Sequence, residues 1–233
     1  MARLSGVADT LYIPLAARIY VSERFADFFF DEKALSLKAE MPYDQIAAQQ
    51  SEYFAFAGVC RLMEVDAMVR AFIAEHGPCN IVNLGCGLET SCFRIGADPS
   101  QATFYEMDLP QVIEARRQAL GEGPGEVLIA GDLFDLAWAD GIDAGLPTLI
   151  TAIGVLQYFD EGRVRAFIEG VKERFPGAEL VFDAMTAKAI RHANDYIRKT
   201  GNGDASLGFW VDDPAAFAAS CDCALIEARP FLS

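Results

Sequence analysis

The stretch Asn80-Ile81-Val82-Asn83-Leu84-Gly85-Cys86-Gly87-Leu88-Glu89-Thr90 limits what this chain can fold into more than any other. A short apolar run breaks into a glycine-flanked turn, and a second β-rich run, Ala102 to Met107, ends at Asp108. The order reads as strand, tight turn, helix, strand, acid. Glycines at 85 and 87 let the backbone turn sharply and approach a ligand closely. An acid at the tip of the next strand can accept hydrogen bonds from ribose hydroxyls.

The chain beyond repeats the alternation. Pro110 suits the first turn of a helix that carries Val112, Ile113 and Leu120 to a stop at Gly121. A third strand is expected over Glu126 to Ala130, ending at Gly131-Asp132-Leu133, and a fourth over Thr148 to Ala152, running into Ile153-Gly154-Val155-Leu156-Gln157-Tyr158. Asp160 then caps a helix whose Val164, Phe167, Ile168, Val171 and Phe175 form one stripe, and a fifth strand follows over Ala178 to Phe182. Near-continuous apolar strands alternating with helices predict an α/β fold with a doubly wound, mostly parallel sheet covered on both faces. Ligands of such sheets bind beyond the carboxyl ends of the strands. Asp108, Asp132 and the 153–158 segment all lie at those ends, together with the glycine turn.

Residues 1–76 read as an N-terminal helical cap and substrate region, and residues 77–233 as the ligand-binding core. A helix from about Ser51 to His76 places Val59, Leu62, Met63, Val69, Phe72 and Ile73 at helical spacing, with Arg61 beside the stripe and Gly77-Pro78 as the stop. The first forty residues are aromatic-rich and partly helical, with Leu11 to Leu15, Ala16 to Tyr20 and Phe25 to Phe30 too irregular for one long helix. After the fifth strand the pattern predicts a polar helix over 186–199, a glycine-rich loop at Gly201 to Gly203, a short helix near Asp213 to Ala219 and a strand over Ala224 to Arg229.

Charge and composition remove several function classes. A formal net charge of −15 repels a phosphate backbone, so nucleic acid is not an expected partner. Apolar runs such as Leu146 to Leu156 fall short of the roughly 20 residues a membrane span needs, and no signal-peptide core follows Met1-Ala2-Arg3. The chain therefore reads as cytoplasmic, without a membrane partner. Its six cysteines form no CxxC pair and only two histidines accompany them, so no metal site is expected.

The glycine turn by itself recurs in many nucleotide-binding domains. Dinucleotide binders place a third glycine where this chain has Thr90, which disfavours an NAD-linked oxidoreductase. A single adenosine without a pyrophosphate does not need that glycine. Gly85-x-Gly87 with Asp108 and the later acid Asp132 fits S-adenosylmethionine better.

Val82-Asn83-Leu84-Gly85-Cys86-Gly87-Leu88-Glu89-Thr90, Tyr105-Glu106-Met107-Asp108-Leu109-Pro110 and Gly154-Val155-Leu156-Gln157-Tyr158-Phe159 together resemble the leucine carboxyl methyltransferase family, including its bacterial polyketide O-methyltransferase branch. The resemblance covers roughly residues 10 to 185. It implies a Rossmann-like class I methyltransferase fold, S-adenosylmethionine as cofactor with S-adenosylhomocysteine as product, and methyl transfer to oxygen. Carried over by position, Gly85 with its neighbours Asn83, Cys86 and Gly87 would contact the methionine part. Asp108, with Leu109, would meet the ribose, and Asp132 and Leu133 the adenine. Gly154 completes the set, Arg61 matches the family arginine that pairs with the cofactor carboxylate, and Arg18 offers a second basic contact.

Two departures stand out. The family usually has an acid just before Gly-Val-Leu, where this chain has Ile153, so a polar contact near the cofactor is missing or supplied by another residue. A class I sheet also normally finishes with a seventh, antiparallel strand, and nothing after Arg229 is long enough to supply a full one. A carboxylate acceptor would need no base, whereas a phenol or alcohol would want one, with His192 and Tyr158, and more remotely Tyr12 and Asp183, as candidates. The expected function is O-methyl transfer to a small-molecule carboxylate or hydroxyl, polyketide-like in view of the aromatic cap. The alternative is a catalytically inactive protein that binds S-adenosylmethionine or S-adenosylhomocysteine.

Overall fold

The computed structural model describes residues 8–199 and 206–230, so the glycine-rich loop at 201–203 and Met1-Ala2-Arg3 lie outside the described residues. Five strands form one sheet: β1 (Cys79–Leu84), β2 (Ala102–Asp108), β3 (Glu126–Ala130), β4 (Thr148–Ala152) and β5 (Glu179–Phe182). Their spatial order is β3-β2-β1-β4-β5, and every neighbouring pair is parallel. Strand β1 is central and all six of its residues are buried, Asn80 and Asn83 included, as a strand covered on both faces requires. The order reverses direction between β1 and β4, which opens a crevice beyond their carboxyl ends.

Strand alternation divides the core. Cys79 and Ile81 of β1 face the layer formed by α4 (Glu52–His76) and α5 (Ser91–Ile95), where Val69, Phe72, Cys92 and Ile95 meet Phe104 and Leu149. Val82 and Leu84 face the opposite layer, where Val164, Phe167, Ile168 and Val171 of α7 (Glu161–Arg174) pack with Met107, Ile150 and Trp138. Helix α6 (Pro110–Leu120) opens on Pro110 and follows β2 directly, and Asp160 caps α7 by accepting the Arg163 N–H at 2.9 Å.

The N-terminal helices are α1 (Ala8–Arg24), α2 (Glu32–Ser36) and α3 (Tyr43–Ala47), followed by α4. Helix α1 continues through Pro14 for 17 residues, so Leu11 to Leu15 and Ala16 to Tyr20, expected to be too irregular for one long helix, form a single one. Leu15, Ala16 and Ile19 on it are fully buried against Ala34, Leu37, Leu88 and Leu120. Burial of that face compensates for the hydrogen bond a proline removes.

The far end of the chain departs from the sequence expectation. After α8 (Ala187–Lys199) and α9 (Pro214–Ser220), residues 224–230 run without a regular element and join no ladder. Leu225 and Ile226 are 45% and 72% exposed, and Arg229 is tied to Glu64 of α4 at 3.0 Å. A short apolar stretch becomes a strand only when an edge pairs with it. Among the described residues β5 pairs with β4 alone, and no antiparallel strand is present.

Candidate functional site

The glycine turn leaves β1 at Leu84 and is held from every side. Gly85 and Gly87 have φ of +66° and +48°, backbone states that favour glycine. The Cys86 N–H donates to the Met107 carbonyl at 3.1 Å. The Gly87 N–H donates to Asp108 Oδ2 at 2.8 Å, and the Leu109 N–H to Asp108 Oδ1 at 2.7 Å. The carboxylate at the tip of β2 is thus fixed against the turn, with lone pairs remaining at the crevice. Burial pushes the Asp108 carboxyl up, against the lowering effect of these two N–H groups.

The turn's carbonyls are gripped from behind by two arginines that composition and spacing did not single out for that purpose. Arg116 of α6 donates to the carbonyls of Gly87 and Glu89, and Arg18 of α1 donates to the Leu88 carbonyl at 2.6 Å. Both are essentially fully buried. Arg116 is balanced by Glu126 at 2.6 Å and Glu106 at 3.5 Å, beside the Cys92 thiol. These three residues offer metal-type ligand atoms within 4.8 Å of one another, with Arg116 supplying the positive charge among them. Burial, reinforced by Glu126 and opposed by Arg116, pushes the Glu106 carboxyl up to about 7.

Arg18 belongs to a second network. It pairs with Glu89 at 2.9 Å and bonds Thr90 Oγ1 at 3.1 Å. Arg94 of α5 pairs with Glu89, Asp31 and Asp66, and Thr90 donates to Asp31 Oδ2 at 2.6 Å. Burial would raise the Glu89 carboxyl, but Arg18 and Arg94 outweigh it and hold it at about 2. Thr90, in the place a third glycine would take, therefore anchors the N-terminal helices to the turn. Arg18 has its guanidinium committed here, with Nε 3.8 Å from Asp31 Oδ2 but without a hydrogen bond.

The other predicted residues distribute around the crevice. The Asn83 side chain points into the sheet, donating to Glu106 Oε2 at 2.8 Å and accepting from Thr151. Cys86 is buried and its thiol is pushed well up by burial, which keeps it protonated. Asp132, exposed beyond β3, accepts the Phe134 N–H at 2.9 Å, while the buried Leu133 passes its carbonyl to Trp138 Nε1. Leu109 is 37% exposed at the rim. A cavity of about 350 Å³ adjoins Asp132 and is lined by Tyr105, Ile129 and Trp138.

Across the switch point, Gly154 (φ +73°) donates its N–H to Asp183 Oδ1 at 2.6 Å. Arg61 of α4 donates to Asp183 Oδ2 at 2.7 Å. A Cβ on Gly85 would lie 2.4 Å from Val155 Cγ2, and one on Gly87 would lie 3.0 Å from Leu11 Cδ2, so the two glycine motifs and α1 close on one another. Desolvation, and then the Asp183 carboxylate, raise the Tyr158 phenol, with Arg61 opposing. Tyr158 is thus a proton donor at neutral pH. His192 is exposed on α8, and among the described residues no hydrogen bond or ion pair links it to Arg61, Tyr158 or Asp183.

These residues fit an adenosyl amino acid. The glycines let the backbone take a left-handed turn at the end of β1, Asp108 at the end of β2 is held against that turn, and Arg61 keeps a buried Nε without a hydrogen-bond partner. Two solved structures share the fold. A protein of Thermobifida fusca solved as a candidate methyltransferase aligns over 87% of this chain and 77% of its own, with TM-score 0.58 and 20% identity. An O-methyltransferase family protein from Burkholderia thailandensis aligns over 93% and 68%, with TM-score 0.54 and 18% identity. The shared fold is that of the class I methyltransferases. Residues 9–172 match the leucine carboxyl methyltransferase family, and the chain belongs to it. It is 27% identical over 218 residues to the tetracenomycin polyketide synthesis O-methyltransferase TcmP of Streptomyces glaucescens, covering 91% of this chain and 78% of that protein.

Proposed function

We propose that the protein transfers a methyl group to an oxygen of a small molecule that arrives already ionised, a carboxylate or an acidic phenol of polyketide-like type. The observation that carries this reading is the ion pair that commits Asp183, at the end of β5, to Arg61. Asp183 already accepts from Gly154 and Arg61 through both oxygens, the Tyr158 phenol is raised, and His192 stands apart on α8. The likeness to TcmP supports oxygen as the acceptor atom, and the net charge of −15 argues for a small acceptor over a polynucleotide.

S-adenosylmethionine supplies an electrophilic methyl on a sulfonium whose leaving group is a neutral thioether. The protein's work is positional: to hold the acceptor oxygen in line and exclude water, which is worth ~7–11 kcal/mol. In this reading Gly85 and Gly87 admit the cofactor's amino-acid portion, Asp108 accepts from the ribose hydroxyls, Asp132 with Leu133 flanks the adenine, and Arg61 binds the carboxylate. Residues 1–76 cap the acceptor side of the 77–233 core, with Tyr158 donating a hydrogen bond to the acceptor.

The test combines calorimetry with S-adenosylhomocysteine and turnover on aromatic carboxylic acids and phenols. Asp108→Ala is expected to keep the fold and lose cofactor affinity by at least tenfold, as removal of a ligand hydrogen bond to a charged group implies. A variant that binds as well as the wild type takes Asp108 out of the ribose role. Turnover only on acceptors that need deprotonation at the site, with a rate rising as one base titrates, would refute the pre-ionised acceptor.

A further inference from the structure

Asp183 stands immediately after β5, the strand next to β4, and ties two distant parts of the chain to one carboxylate. One oxygen accepts the Gly154 N–H from the turn beyond β4 at 2.6 Å, and the other accepts Arg61 Nη1 from α4 at 2.7 Å. The pair is shielded without being sealed: the side chains of Arg61 and Asp183 are 25% and 12% exposed. Among the described residues Asp183 is the one acid paired with Arg61. It occupies one of the three guanidinium nitrogens. Nε is buried with no partner, and Nη2 lies on the Gly154 side, 3.9 Å from the place a Cβ there would take.

A long arginine side chain at a crevice wall has many rotamers, and a planar guanidinium recognises a carboxylate well only when its fork is aimed. Gly154 turns beside it at φ +73°, and even a Cβ there would only touch Nη2, at 3.9 Å. Ile153, the residue before it, contributes no charge. We infer that Asp183 is a positioning residue, which fixes the Arg61 guanidinium and the Gly154 turn so that the remaining Arg61 donors meet the amino-acid carboxylate of the cofactor. This rests on the cofactor placement under Proposed function. Asp183 is therefore the ion-pair partner that holds Arg61, and it leaves two guanidinium nitrogens unclaimed.

The experiment measures binding of two ligands to the full chain by calorimetry: S-adenosylhomocysteine, and 5′-methylthioadenosine, which has the same adenosine and thioether but no amino-acid portion. Asp183→Ala is expected to weaken S-adenosylhomocysteine about tenfold or more and 5′-methylthioadenosine by less than about twofold, because the adenosine contacts are untouched. Arg61→Gln should do the same. The double variant should bind no more weakly than Arg61→Gln alone, since Asp183 acts through that arginine, and Asp183→Asn should recover part of the affinity.

Unchanged or tighter binding of S-adenosylhomocysteine by Asp183→Ala overturns the inference, as does equal weakening of both ligands or full additivity with Arg61→Gln. If Arg61→Gln binds as well as the wild type, the Arg61 contact falls and the inference with it. If Arg61→Gln is weakened and Asp183→Ala is not, only the role of Asp183 is lost. A wild type that binds neither ligand refutes the placement of the cofactor itself.

Discussion

Replacing Gly85 by alanine should damage the protein through two separable terms. At φ +66° an L side chain is strained, which costs about 1–2 kcal/mol. The new methyl would also lie 2.4 Å from Val155 Cγ2, an overlap that forces Val155 or the turn to move at about 1–3 kcal/mol. The turn has little freedom to yield, because Arg116 and Arg18 hold its carbonyls and Asp108 holds the Gly87 N–H. The sum is ~2–5 kcal/mol. Val155→Ala should cost about 1–3 kcal/mol on its own through lost packing. It removes the overlap while leaving the backbone strain, so the double variant should be more stable than additivity predicts by about 1–3 kcal/mol. Urea unfolding followed by circular dichroism and tryptophan fluorescence measures all four corners of the cycle. A Gly85→Ala protein within about 0.5 kcal/mol of the wild type, or a strictly additive cycle, would show that the two motifs are not packed as described.

Two predictions concern the buried charges. The Glu106 carboxyl is pushed up to about 7 from 4.5, so its contribution to stability is full below pH 4.5 and is lost as pH rises through 7. At ~1.4 kcal/mol per pH unit this amounts to about 3 kcal/mol. Glu106→Gln should match the wild type near pH 4.5 and exceed its stability by up to about 3 kcal/mol at pH 8, read as the difference in urea midpoints; a constant difference across that range would refute the assignment. Glu89 has the opposite sign, since its carboxyl is held at about 2 by Arg18 and Arg94. Its contribution is present above pH 4.5 and fades as pH falls toward 2. Glu89→Gln, which leaves two buried arginines short of an acid, should cost about 3–5 kcal/mol at pH 7, and the two proteins should converge on acidification.

Much of the fold was legible because the signals are local. The apolar run of β1, Pro110 at the start of α6, Asp160 before α7 and Gly77 after α4 each follow from the conformational limits of a few adjacent residues. The glycine turn and Asp108 were legible for the same reason, because a strand that ends in a glycine or an acid announces a carboxyl-end site whatever the rest of the chain does. The expected strand over Ala224 to Arg229 shows the limit of such reading. Its pattern is strand-like, but pairing is a property of two segments, and among the described residues none pairs with it.

The sequence by itself determined the order of elements from β1 to β5 and the doubly wound class, since these depend on periodicity, turns and strand ends. Only the tertiary structure decided what holds the crevice rim in place. Arg116 behind Gly87, Arg18 and Arg94 around Thr90, and Asp183 between Arg61 and Gly154 join residues up to 122 positions apart. A charge in a sequence carries no record of the partner it will meet once water is removed. Burial makes an unpaired charge too costly to keep, so the fold must bring each arginine its acid, and which acid that is becomes readable only after the chain has closed.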